Sequence, residues 1–316
     1  VASQRALVEA EAGRIGGAIA YLLVALAWLA ALSLAWGRLL GWLLTTPDSS
    51  PRPSRARRSK GLAVSGPWGT RSVIARKELR FYIRDPRQRL VWTGTVVFVG
   101  LAIAAVVVGS EGMATFRHST WLPLLAPGLV LFVGLPISLN IFGWERNAAS
   151  YLFALPVAPR SLIQGKNLAS GLAMLVETVF LALLLTIVSK SWTVIYMVPA
   201  LAVAAIGAQL AVGNLVSVLT PLRLPREGTD VFAQTTEQGF LAIFSQAAAF
   251  LAIGVLLIPP SVGAVLTFYF GSALKPWITF VFSILWGIAL YWISLLASGW
   301  LLRRRVPEVV NWVQVY

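Results

Sequence analysis

Cysteine is absent, histidine occurs once, and charged residues make up only 12% of the 316-residue chain. With no thiol and with His118 alone, the sequence offers no credible zinc, haem-thiolate or disulfide site, and the redox compartment leaves no trace in it. A soluble domain carries roughly a quarter charged residues. The shortfall here, set against 58% hydrophobic residues, excludes an ordinary soluble fold and defines a membrane protein. The rarest charges are acidic, 12 Asp and Glu against 26 Lys and Arg, for a formal net charge of +14. Such a balance raises the question of nucleic acid. The basic residues lie in stretches flanking apolar runs, where attraction to anionic headgroups and insertion topology account for them, so no nucleic-acid partner is expected.

What is abundant is long charge-free sequence. A spanning helix needs about 20 predominantly apolar residues to cross a hydrocarbon core roughly 30 Å thick. Seven passages meet that length: one between Arg14 and Arg38, one from Arg89 to Ser110, and others at 119–144, 167–189, 191–222, from about 239, and 276–302. Pro123, Pro127 and Pro136 should kink the third. Pro259 and Pro260 should end the sixth, leaving 261–274 as a short re-entrant or interfacial segment. The expected fold is an all-α polytopic membrane protein.

Lysine and arginine set the orientation. Twelve basic residues lie between Arg52 and Arg89, three more are Arg146, Arg160 and Lys166, two are Arg223 and Arg226, and three are Arg303, Arg304 and Arg305. These 20 share one side when the six passages after the linker alternate, and the other side of that core holds only Arg117, Lys190 and Lys275. The rich side is expected to be cytoplasmic. Trp28, Trp92, Trp121, Trp192, Trp277 and Trp300 sit near passage ends, where indole rings favour the interface.

The organisation divides into a first transmembrane helix (1–44), a basic Pro/Ser linker (45–70), a six-helix domain opened by a flat helix (71–306), and a tail (307–316). The linker composition is that of a flexible segment. The isolated first helix reads either as the end of something preceding or as an additional N-terminal anchor.

The stretch KELRFYIRDPRQRL directly precedes the second passage. On a helical wheel Ile74, Leu79, Phe81, Tyr82, Ile83 and Leu90 share a broad side, and Arg76, Lys77, Arg80, Arg84 and Arg87 the other. This is the pattern of an amphipathic helix lying in the headgroup plane, rings toward lipid. Pro86 then turns the chain into the bilayer. A basic flank without shape of its own is the other reading.

A flat KELR…RDPR helix ahead of six spanning helices resembles the permease of ABC-2 type ATP-binding cassette transporters, the type V fold. Two further stretches carry the likeness: NIFGWERNAASYLFALPVAPRSLIQGKNLA, similar to the family's second cytoplasmic loop, and GNLVSVLTPLRLP, similar to its exit from the fourth core helix. The likeness covers about residues 71–306. It departs where many members carry Glu-x-Gly-Thr, since Glu145 is followed here by Arg-Asn-Ala-Ala. The resemblance implies two six-helix halves, so a homodimer or a missing N-terminal half, with two ATPase subunits beneath that hold ATP and Mg²⁺. This chain binds neither: it has no G-x-x-x-x-G-K-[ST], and Gln164-Gly165-Lys166-Asn167 lacks the first glycine and the hydroxyl. A bacterial plasma (inner) membrane location follows from the same likeness.

The second loop is expected to form a short helix from Asn147 to the residue before Pro156. Tyr151, Leu152 and Phe153 must pack either on the bilayer surface or in a partner's cleft. As an ATPase-coupling element the loop would present those residues as anchors inside a rim of Glu145, Arg146, Arg160 and Lys166. Glu177 is the one ionisable residue within a passage. Its expected role is a hydrogen bond to Ser170, Gln209 or Asn214, with contact to substrate or proton as the other reading. A membrane-embedded lipid or glycan transferase would need acids, bases or metal ligands at the membrane face, and the outer loops supply only Glu111, His118 and neighbours. A channel would want a ring of polar pore residues.

Overall fold

The computed structural model describes residues 9–45, 67–85, 119–222, 236–269 and 275–313, with isolated positions 6, 88, 94 and 100. No strand occurs among them. The chain forms two compact units, Val1–Ala63 with Ala104–Ala114, and Val64–Ile103 with Thr115–Tyr316. The linker at 46–66, the second passage apart from positions 94 and 100, and the loop at 223–235 lie outside the described residues.

In the first unit, helix α1 (Ile15–Thr45) runs 31 residues and passes through Arg38 without a break. Leu22, Leu23, Leu26 and Leu29 are all exposed, the surface of a helix that suits lipid. Just ahead of it Arg14 pairs with Glu9 at 2.6 Å.

The second unit contains α2 (Pro67–Arg84), a 3-10 turn (Leu122–Leu125) leading into α3 (Ala126–Ser138), a 3-10 segment (Gly143–Ala148) leading into α4 (Ala149–Ala154), then α5 (Pro159–Ser189), α6 (Val198–Leu219), α7 (Thr236–Tyr269) and α8 (Pro276–Val313). Among the described residues four stretches are long and apolar enough to cross a membrane: Pro159–Ser189, Ile195–Leu219, Gly239–Phe268 and Pro276–Val313. The protein is a multi-pass α-helical membrane protein. Of the seven expected passages, the third is shorter than a full span, Leu122–Ser138. Prolines explain it: Pro123 and Pro127 sit at helix starts, so the chain begins twice, first as 3-10 and then as α.

Helix α6 is the hub. In its most apolar window 72% of residues are buried, against 39%, 22% and 17% for α5, α8 and α7. Its alanine- and glycine-rich sequence allows this, because small residues let helices approach without a hydrophobic drive between them. At the α6–α8 crossing Gly207 and Gly287 face each other so closely that a Cβ on either would overlap the other helix's backbone.

Two boundaries differ from expectation. Pro259 and Pro260 do not end α7, which continues to Tyr269, so 261–269 is part of that helix and not a separate re-entrant segment; 270–274 lie outside the described residues. Pro260 cannot donate to Leu256 O, the acceptor four residues back. The indole N–H of Trp286 on α8 donates to that oxygen instead, at 2.8 Å. The helix is thus repaired by a neighbour. Likewise α8 runs through Arg303–Arg305 and Pro307 to Val313, so 307–313 is no separate tail. Val309 and Val313 are buried with Phe142, Ile141 and Val218, and Arg305 Nη1 donates to Leu219 O at the end of α6.

Candidate functional site

Helix α2 splits along its length much as the wheel suggests. Arg76, Lys77, Arg80 and Arg84 are exposed, Ile74 and Tyr82 are buried, Leu79 and Phe81 are half-buried, and the helix stops at Arg84, two residues short of Pro86. Two corrections apply to the apolar side. Ile83 is 71% exposed, and Ile74 and Tyr82 face protein rather than lipid. Tyr82 lies with Ile137 and Ala169, and Ile74 sits against Gly165 so closely that a Cβ there would come within 2.6 Å of it. The Tyr82 hydroxyl bonds to Ser170, and burial together with the Glu78 carboxylate pushes its pKa far above the usual phenol value. Leu90 and Arg87 lie outside the described residues.

The packing of α2 on α5 creates a buried charge cluster that joins three elements distant in sequence. Lys166 Nζ on α5 lies 2.9 Å from Glu78 Oε1 on α2 and 2.5 Å from Glu145 Oε1 in the 3-10 segment. Lys77 Nζ reaches the same two oxygens at 3.1 and 2.5 Å. The side chains of Lys166, Glu78 and Glu145 are 2%, 5% and 8% exposed, whereas Lys77 is 49% exposed. Two cations and two carboxylates cancel, which is the condition under which charge is tolerated away from water. Burial on its own would raise the Glu145 pKa; Lys166 and Lys77 outweigh it and hold that carboxyl down to about 2.

Lys166 and Glu145 are therefore not rim charges of the loop, as the sequence suggests, but interior ones. Arg160 is exposed, with its stem laid against Gly299 of α8, and the side chain of Arg146 lies outside what is described. Glu78 went unnoticed in the sequence. Its signal was available: about 40° from Ile74 on the wheel, it is an acid on the apolar side of a basic helix.

Between the two halves of the cluster's loop, α4 presents a mixed surface. Ala149 is fully buried, and Leu152 and Phe153 pack on the chain's own core, the Phe153 ring 5.4 Å from that of Phe142. Tyr151 and Leu155 point outward, 79% and 52% exposed. Of the three expected anchors, only Tyr151 is free to meet a partner. A second polar set braces the loop's start: Asn140 donates to Leu222 O and accepts from the Leu222 and Gly143 amides, while Ser217 bonds Ser138 O and the Ile141 amide.

The intramembrane polar residues do not meet as expected. Asn214 accepts from Asn167 at 2.8 Å and donates to Ser294, and Gln209 donates to Leu131 O and Ser138 Oγ. Ser170 donates into its own helix at Lys166 O. Glu177 is 6% exposed, and neither of its carboxylate oxygens has a hydrogen-bond partner among the described residues. The expected bond from Glu177 to Ser170, Gln209 or Asn214 is absent because each of those groups is directed to a different partner. No cluster of metal-ligating side chains occurs among the described residues.

Comparison with family models, with curated proteins and with solved structures gives no match in any of the three.

Proposed function

We propose that this chain is the membrane-spanning permease subunit of an ATP-driven ABC-2 type exporter in a bacterial plasma membrane, working with a second permease half and two ATPase subunits that bind ATP and Mg²⁺. The observation that carries the reading is the Glu78–Lys166–Glu145–Lys77 cluster, which ties the α4 connection to both α2 and α5. Force applied at an exposed loop reaches a spanning helix only if the loop is rigidly joined to it. Here Tyr151 on the short α4 and Leu155, the residue that ends it, both face outward, and eleven residues beyond Leu155 Lys166 is locked into α5. ATPase docking on the Tyr151 face would then displace α2 and α5 together. The positive-inside bias puts α2, α4 and the end of α8 on the cytoplasmic side, where such a partner resides.

Crosslinking tests the reading. Cysteines at Ala148 and Ala154, both exposed, should couple to the ATPase encoded with the permease, and a cysteine at Trp192 should label from outside the cell. Tyr151→Ala should weaken ATPase association by about 1–3 kcal/mol without unfolding the chain. Lipid protection of positions 148 and 154, with full ATPase co-purification in Tyr151→Ala, would overturn the assignment.

A further inference from the structure

The start of α5 meets α8 at a glycine. The Arg160 stem fills the place of the missing side chain at Gly299, so a Cβ there would overlap Arg160 Cγ, and Arg160 Nε lies 3.4 Å from that same point. Arg303 stands one turn further along α8, four residues from Gly299, a spacing at which Cβ atoms are about 5–6 Å apart. Both arginines are exposed. The glycine thus brings a guanidinium from each of two helices to one edge.

Like charges set together are costly without a counterion. The other arginines of the α8 run are engaged within the chain: Arg304 lies over the Trp300 ring at 4.0 Å, and Arg305 pairs with Glu308 and donates to Leu219 O. The guanidiniums of Arg160 and Arg303 make no ion pair, hydrogen bond or ring contact among the described residues. Nearby acids are already used. Glu308 is held by Arg305, and Glu78 and Glu145 are held by Lys77 and Lys166. Glu177 lies about 25 Å away along α5. The counterion must come from outside the chain.

The surface beside the pair says what carries it. Trp292, Leu296 and Arg303 follow one another at i, i+4 and i+11, so they share a face of α8, and Trp292 and Leu296 are 50% and 46% exposed. Trp300, 53% exposed, is placed as an interfacial indole at the end of the apolar run. An apolar stripe in the membrane leading up to two arginines fits a molecule with an anionic head and a hydrocarbon tail.

We propose that Arg160 and Arg303 form a binding notch for the phosphate of an anionic phospholipid, in the leaflet that faces the basic loops, with its acyl chains along Leu296 and Trp292. Guanidinium forks match phosphate oxygens. Phosphatidylglycerol brings a phosphate whose charge nothing in its own headgroup offsets, whereas the phosphates of phosphatidylcholine and phosphatidylethanolamine are offset by their own ammonium. The site does not depend on the exporter reading.

Trp292 provides the readout. The purified full chain is titrated with phosphatidylglycerol brominated midway along its acyl chains, and in parallel with the brominated choline and ethanolamine lipids. Tryptophan quenching should be stronger with phosphatidylglycerol, and most of the excess should disappear in Trp292→Phe. Arg160→Gln and Arg303→Gln should each lower the apparent phosphatidylglycerol affinity about fivefold, and the double variant about 25-fold, the effect of basic residues near an anionic headgroup. Arg76→Gln, exposed on α2, should leave it unchanged. Gly299→Ala keeps every charge but displaces the Arg160 stem, so it should match Arg160→Gln; an unchanged thermal midpoint confirms that the variant is folded. Equal quenching by the choline or ethanolamine lipid overturns the proposal. So does an Arg76→Gln loss as large as that of Arg160→Gln, full affinity in the double arginine variant, or a folded Gly299→Ala that binds as the unmodified chain does.

Discussion

Lys166 and Glu177 lie on the same helix, about 16 Å apart along its axis, and both are buried, yet their surroundings are opposite. Lys166 is met by two carboxylates from two other elements, and Glu177 has no hydrogen-bond partner among the described residues. Burial alone therefore says little about what a charged side chain does. At Lys166 the charge has a structural part: its two carboxylates join α2 and the 3-10 segment to α5, and their neutrality is what lets the cluster be buried. At Glu177 the carboxyl makes no hydrogen bond that would join it to another helix among the described residues.

That contrast can be broken most forcefully at its paired end. Lys166→Met leaves Glu78 and Glu145 facing each other with only half-exposed Lys77 between them, and it should destabilise the second unit by about 3–5 kcal/mol, read as a fall in thermal midpoint in detergent. The acid limb sharpens the same point. The Glu145 pKa is depressed to about 2 from the usual 4.5, so the stability it contributes is present above about pH 4.5 and is lost as pH falls toward 2. Glu145→Gln should flatten that decline in a melt-versus-pH series.

Leu152→Ala or Phe153→Ala, which remove half-buried packing from the core, should cost about 1–3 kcal/mol by the same thermal measurement, whereas Tyr151→Ala should stay within about 0.5 kcal/mol. Equal losses at all three would place Tyr151 in the core and remove it from any docking face. The smallest effect belongs to the unpaired end. Glu177→Leu loses no hydrogen bond among the described residues and should be neutral or slightly stabilising, within about 0.5 kcal/mol; a loss comparable to Lys166→Met would reveal a partner for Glu177 and erase the contrast.

Much of the architecture could be read from composition and periodicity. Long charge-free runs announce helices, and the wheel separates Arg76, Arg80 and Arg84 from Ile74 and Tyr82. What resists reading is what distant elements do to one another. Nothing local to Lys166 reveals that Glu78, 88 positions earlier, will neutralise it. Nothing local to Pro260 reveals a donor on Trp286, so the proline pair reads as a stop. The run Arg303–Arg305 looks like the end of a membrane helix, but Val309 and Val313 beyond it find a core to enter, and the helix continues. The amphipathic wheel also cannot say whether an apolar face meets lipid or protein; for Tyr82 it is protein, and the acid at position 78 on that same face was the one clue.

The Trp286 bond has a mechanical consequence. In an unbroken helix, straightening or swivelling is resisted by bonds internal to that helix. In α7 the oxygen released by Pro260 belongs to Leu256, before the prolines, and a side chain on α8 holds it, so the segment before the prolines is fastened to its neighbour while the segment after them lacks the bond that would tie it back to that oxygen. The indole of Trp286 thus pins the near side of the diproline to α8, and the far side carries fewer backbone bonds to resist a swivel.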